Sequence, residues 1–266
     1  MLGFAILGLL GMGIAFSLLD DGDEASIFSS GSSSDEGTED ADFIDSGDGD
    51  NRVFAGGGDD IVLAGDGDDR VFGGAGDDLI AGEGGDDFLR GGSGDDVIIA
   101  GPGQDVVHGD IGNDYIEGID ITDTRGIIEI TEASIRSGIP LTQEDLDRVV
   151  DLKAATEEAD VLNGGMGDDV IIAGSNDQVD TGTGFDTVNV GLWVNPQAPV
   201  QINDFDPFRD EIVYTYEGIV PPTVTFDETD EGTATLVVDG EIVAFFEKVD
   251  FLDLLARTPI TLERFA

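Results

Sequence analysis

Gly73-Gly74-Ala75-Gly76-Asp77-Asp78-Leu79-Ile80-Ala81 carries the pattern on which the fold turns. Its sixth residue is an aspartate, its eighth is aliphatic, and both recur at the same phase in either direction along the chain. Cut from Gly37, nine nonads place Asp42, Asn51, Asp60, Asp69, Asp78, Asp87, Asp96, Asp105 and Asp114 at the sixth position. The eighth positions read Ile44, Val53, Val62, Val71, Ile80, Leu89, Ile98, Val107 and Ile116. Hydrophobic residues make up 40% of the chain, so nine consecutive hits would arise by chance about three times in ten thousand. The period is real.

A nine-residue unit of this kind can hold a strand of about three residues centred on its eighth position, which sends one side chain inward. Its glycines permit the positive-φ turn that reverses the chain. Two nonads then complete one circuit of a flattened, right-handed parallel solenoid, and same-side turns stack 18 residues apart. The expected fold is therefore all-β, a parallel β-roll. One row of turns carries Asp42, Asp60, Asp78, Asp96 and Asp114; the opposite row carries Asn51, Asp69, Asp87 and Asp105. With strands about 4.8 Å apart, successive carboxylates repel by about 1 kcal/mol per pair even in water. A cation between turns reverses that sign.

Composition points the same way. Fifty-nine acidic against eleven basic residues give a formal charge of -48, which repels nucleic acid and anionic lipid headgroups alike. A hard divalent cation remains as partner. Calcium takes six to eight oxygens at about 2.3 to 2.6 Å, whereas magnesium demands a tight octahedron and keeps its waters. Cysteine is absent, which removes disulfides and thiolate sites, and His108 is the only histidine, expected to face the surface.

Met1 to Leu19 is uncharged and mainly apolar, and as a helix would span about 28 Å, close to a bilayer core. It lacks the basic start of a secretory signal, so a membrane anchor is expected there in preference to a cleaved signal-like segment, with the acidic remainder of the chain outside. Residues 20–36 read as an acidic Ser/Gly linker, 37–117 as the first repeat block and 118–154 as an insertion. Within the insertion, Thr142 to Lys153 is expected to be helical, capped by Thr142. The period returns over 155–189 with Asp160, Asp169, Asp177 and Asp186, after a one-residue deletion near Asn176. Residues 190–266 are expected to form a β-rich cap, with a hairpin turning at Asp239-Gly240.

The nonad quoted first fits G-G-x-G-x-D-x-U-x, an already recognised calcium-binding repeat and so not a deduction from this sequence alone. The chain resembles the RTX, or haemolysin-type calcium-binding, repeat family over Gly37 to Glu117 and about Ala155 to Asn189. The resemblance implies several calcium ions between stacked turns, held by Asp42, Asp60, Asp69, Asp78, Asp87, Asp96, Asp105, Asp114, Asp160, Asp169, Asp177 and Asp186. Asn51 is a neutral replacement, and Glu83 and Asp110 stand where second-position glycines belong. The weakest sites are expected at the 51/69 and 42/60 pairs, with the 160/177 pair also affected by the deletion. The first residue of each Asp-Asp pair, such as Asp59, Asp77 or Asp95, is expected to be a solvated or turn-stabilising carboxylate and not a direct ligand. Ile202-Asn203-Asp204-Phe205 through Asp210-Glu211-Ile212 looks like a stretch that often follows such repeats.

No EF-hand loop, HExxH motif or G-x-S-x-G elbow is present. The expectation is a non-enzymatic calcium-binding protein, extracellular or at the cell surface, folding with calcium. Alternatives are an adhesin or matrix protein binding a protein or glycan through the insertion or cap, and an extracellular enzyme with a carboxylate site.

Overall fold

The computed structural model describes residues 26–29, 31–119, 159–229, 233–257 and 260–265. Its strands, numbered in chain order, alternate between two sheets. The first sheet runs through β1 (Ser26–Phe28), β3 (Phe43–Asp45), β5 (Ile61–Asp66), β7 (Leu79–Gly84), β9 (Val97–Ile99), β11 (Tyr115–Glu117), β13 (Val170–Ile172), β15 (Thr187–Gly191), β17 (Glu211–Glu217) and β21 (Ile260–Phe265). The second runs through β2 (Ser34–Glu36), β4 (Arg52–Gly57), β6 (Arg70–Ala75), β8 (Phe88–Ser93), β10 (Val106–Ile111), β12 (Val161–Met166), β14 (Gln178–Thr183) and β16 (Val200–Ile202). It ends with β20 (Glu241–Phe246), β19 (Ala234–Val238) and β18 (Val224–Glu228). All pairings are parallel except those of β18 with β19 and β19 with β20. This is the expected parallel β-roll.

Its register is the sequence period. Arg52 pairs with Arg70 and Ile61 with Leu79, one circuit of 18 residues apart. Every eighth-position aliphatic from Ile44 to Ile116 is fully buried between the sheets, as are Leu162, Ile171, Val179 and Val188. In the second sheet β4, β6, β8, β10, β12 and β14 have six residues, longer than the three expected. They run on into the next nonad, because glycine turns stack on one another and pair as Gly56 does with Gly74. Gly74 has a φ of 123°, and a Cβ there would strike the Gly56 carbonyl oxygen, so position two tolerates little else.

The two repeat blocks form one solenoid. Val106 pairs with Val161 and Tyr115 with Val170, so ladder neighbours there lie 55 residues apart instead of 18. The chain leaves after β11 and re-enters in register after an excursion of 37 extra residues. The one-residue deletion shortens the next circuit to 17 residues and is taken up at Asn176, whose φ is 72°.

One expectation changes. The stretch assigned to a linker already contributes β1 and β2, which pair with β3 and β4. The Asp-x-aliphatic signature is absent there, since Asp35 stands in the inward position opposite Val53. Its buried carboxylate is held instead by the hydroxyls of Ser29, at 2.6 Å, and Ser33, at 2.7 Å. The C-terminal region caps the roll by prolonging both sheets, with β16 on β14 and β17 on β15. Its hairpin turns at Asp239 and Gly240, both at positive φ, and a short helix α1 (Phe251–Arg257) follows. The anchor expected at 1–19 and the helix at 142–153 lie outside the described residues. Among those described, no helix is long and apolar enough to cross a membrane.

The outer faces of the sheets differ. On the first, Leu79, Ala81, Ile99 and Ile172 are buried. On the second, Arg52 and Phe54, Arg70 and Phe72, Phe88 and Arg90, and Val106 and His108 occupy successive circuits. Phe54 stacks on Phe72 at 5.0 Å, and Phe88 lies 5.5 Å from half-buried His108.

Leu162, fully buried, stacks between Val107 of the first block and Val179 of the second. Leu162→Ala should destabilise the folded roll by about 2 to 5 kcal/mol. Urea unfolding followed by tryptophan fluorescence and by far-ultraviolet circular dichroism should show both probes shifting together; separate transitions would mean that the blocks do not form one unit.

Candidate metal centre

A sixth-position aspartate ends the glycine turn, and the residue after it begins a strand, so its side chain is directed back under the turn. All of the aspartates expected as ligands, from Asp42 to Asp186, are at most 4% exposed. In one row, Oδ1 of each accepts the backbone N–H of the aspartate one circuit earlier. The Asp60 N–H donates to Asp78 at 2.9 Å, Asp78 to Asp96 at 2.9 Å, and Asp96 to Asp114 at 2.9 Å. The ladder crosses the excursion from Asp114 to Asp169 at 2.8 Å and continues from Asp169 to Asp186 at 3.0 Å. The opposite row runs through Asn51, Asp69, Asp87, Asp105, Asp160 and Asp177.

The second carboxylate oxygen is the informative one. In Asp60, Asp69, Asp78, Asp87, Asp96, Asp114, Asp169 and Asp186, Oδ2 is buried and accepts no hydrogen bond. In Asp78, Asp87, Asp114 and Asp169 it points at the first-position glycine of its own turn, and beside it lies a carbonyl oxygen of the next circuit; for Asp60, Asp69 and Asp186 the first position is Ala55, Ala64 and Thr181. A Cβ on Gly73 would meet both Asp78 Oδ2 and the Gly91 carbonyl oxygen, and on Gly82 both Asp87 Oδ2 and the Ala100 carbonyl oxygen. Gly109 and Gly164 frame the same arrangement with Asp114 and Asp169. Acceptors therefore face acceptors with no donor between them, which a hard cation with oxygen ligands satisfies. Among the described residues no three acidic or histidine side chains converge, so turn carbonyls must supply most of the ligands at any one site.

Not all positions are alike. Asp42 receives the Thr38 N–H on Oδ2 at 2.5 Å and the Thr38 hydroxyl on Oδ1 at 3.2 Å. Asp177 receives N–H groups from Asp160 and Gly174. Asp110, at positive φ in place of a glycine, forms an ion pair with Arg90 of the preceding circuit. The first residues of the Asp-Asp pairs make an exposed ladder of opposite sense: Asp59 accepts from the Asp77 N–H at 3.0 Å and Asp77 from that of Asp95 at 2.8 Å. They brace the turn, as expected of them.

Sequence reasoning missed Asp210, which extends the first row. It is 2% exposed and accepts from the Asp186 N–H at 3.2 Å and the Asp206 N–H at 2.7 Å. The signal was present in Asp210-Glu211-Ile212, which repeats the Asp-x-aliphatic pair outside the nine-residue period.

Burial, more than charge, governs the acidity of these groups. Desolvation, opposed by the ladder hydrogen bond and reinforced by neighbouring carboxylates, pushes Asp96 and Asp87 up to about 8. Asp60, Asp78, Asp169 and Asp186 rise to about 7, and Asp69 and Asp114 to about 6.

A family model for the RTX calcium-binding nonapeptide repeat matches in four copies, at residues 36–71, 63–98, 82–116 and 155–188. No curated protein matches the chain.

Because these carboxyls hold their protons more tightly folded than unfolded, they favour the cation-free fold below the unfolded value of 3.8 and lose that contribution as pH rises through about 6 to 8. With chelator present, the urea midpoint should therefore be higher at about pH 4 to 5 than at pH 8. An equal or higher midpoint at pH 8 would contradict the burial described above.

Proposed function

We propose that this chain, which carries RTX calcium-binding repeats over residues 36–116 and 155–188, is a non-catalytic calcium-responsive protein, exported or held at the cell surface. Its roll is loose without calcium and rigid with it. The observation that carries this reading is the row of buried Oδ2 atoms facing carbonyl oxygens with no donor. Asp60, Asp69, Asp78, Asp87, Asp96, Asp105, Asp114, Asp169 and Asp186 would hold the ions with carbonyls of the adjoining turns. Bound calcium supplies the positive charge and the oxygen affinity that the turns lack. A ligand that binds only the folded state stabilises it, so external calcium acts as a folding switch.

The adhesin reading keeps one specific support. The cap exposes Phe208, Ile219 and Val220, the last two at 87% and 80%, and such side chains suit contact with a partner. Retention on cell envelopes in calcium, lost in an Ile219→Ser/Val220→Ser variant of unchanged calcium response, would favour it.

Circular dichroism of the whole chain at neutral pH should show strand content rising from chelator to millimolar calcium, and not with equal magnesium. Asp78→Asn/Asp96→Asn should raise the calcium midpoint by about threefold to tenfold. Strand content unchanged between chelator and calcium would sink the proposal.

A further inference from the structure

Asn51 interrupts the aspartate ladder, and its hydrogen bonds show what it does there. Its backbone N–H donates to Asp69 Oδ1 at 2.6 Å, as those of Asp69, Asp87, Asp105 and Asp160 do to the aspartate one circuit later. Its side-chain Oδ1 accepts the Ser33 N–H at 2.8 Å, which fixes the orientation of the amide. Nδ2 is therefore turned to the place where an aspartate would put its second oxygen. From there it donates to the Gly47 carbonyl at 2.7 Å, with the Ser46 and Ala64 carbonyls at 3.5 and 3.4 Å. Ala64 is the first-position residue of the next circuit, as Ala100 is for Asp87, where the carboxylate and carbonyl oxygens meet without a donor.

The opposite edge of the same circuit is closed in an equivalent way. Thr38 supplies its N–H and its hydroxyl to the two oxygens of Asp42, as described above. One step earlier, Ser29 and Ser33 hold both oxygens of Asp35 in the inward position. Three acceptor groups at this end of the roll thus receive protein donors, while the following circuits carry oxygens with none.

We infer that Asn51 takes the place of a cation, and that the circuit from β2 to β4 is a calcium-independent seed on which the calcium-requiring circuits stack. The inference rests on the calcium reading above and goes beyond it by assigning one end of the array to be prefolded. The amide nitrogen donates to the carbonyls that a metal would otherwise engage, so this turn meets no repulsion when calcium is absent. Growth from it is favoured because each new circuit finds a formed strand edge on both sheets.

The test combines native mass measurement with hydrogen exchange on the full chain, in wild type and Asn51→Asp. In chelator, amides of Ser34–Glu36 and Arg52–Gly57 in the wild type should exchange at least about tenfold more slowly than those of β8 and β10. Asn51→Asp should erase that difference in chelator, recover protection in calcium, and bind one more calcium ion than the wild type at saturation. The same ion count in both proteins, or uniform exchange across wild-type circuits in chelator, would overturn the inference while leaving the calcium reading intact. A wild type that takes up no calcium would overturn both.

Discussion

Burying a carboxylate oxygen against a carbonyl oxygen is unfavourable, and this roll does so at turn after turn. At Gly73, Gly82, Gly109 and Gly164 the close approach is permitted by a first-position glycine, which has no side chain to keep the two apart. An unsatisfied buried acceptor costs about 1 to 3 kcal/mol, and more when charged. Eight such oxygens bring the cost to the scale of an ordinary domain's whole stability, about 5 to 15 kcal/mol. The eighth-position aliphatics build a core, but at neutral pH that core must hold against this opposition. Whatever removes the opposition, whether a proton or a cation, decides whether the circuits stay closed.

Because each circuit touches only its neighbours, the array behaves as a one-dimensional stack whose ends need separate treatment. The chain closes them differently. At the N-terminal end, hydroxyl and amide donors of Ser29, Ser33, Thr38 and Asn51 answer the local acceptors. At the other end, Asp210 carries the ladder past its last repeat, and β20, β19 and β18 turn the second sheet from parallel to antiparallel pairing. Phe246, fully buried, fills the wider core there against Phe205 and Phe226.

Much of this was legible in the residues. The period fixes which side chains point inward and which carboxylates share an edge, since strand register and repeat length are the same quantity in a solenoid. The joining of the two blocks was not legible, because the pairing of Val106 with Val161 spans the excursion and leaves no local mark. The early start of the roll was hidden by Asp35, an acid in an aliphatic slot whose partners are serines of neighbouring turns. Asp210 escaped because its distance of 24 residues from Asp186 breaks the period, although its spacing to Ile212 keeps it. What propagates through hydrogen bonds between distant residues is invisible to a periodicity; what repeats is not.

The unlike outer faces of the two sheets set a parity on the chain. Removing one nonad would transfer every later strand to the other sheet. Deleted upstream of β8, it would carry the Arg90 guanidinium from the open face to the one where Leu79 and Ile99 are buried. That charged group would then lose its water. Removing two nonads leaves each face as it was. Such a chain can therefore lengthen or shorten only by whole circuits of 18 residues, or by changes confined to turns. The deletion at Asn176 and the excursion after β11 are both of the second kind: Val161 still lands beside Val106, and Gln178 beside Val161. Even-numbered inheritance of nonads is the arithmetic that a two-faced roll imposes on its own history.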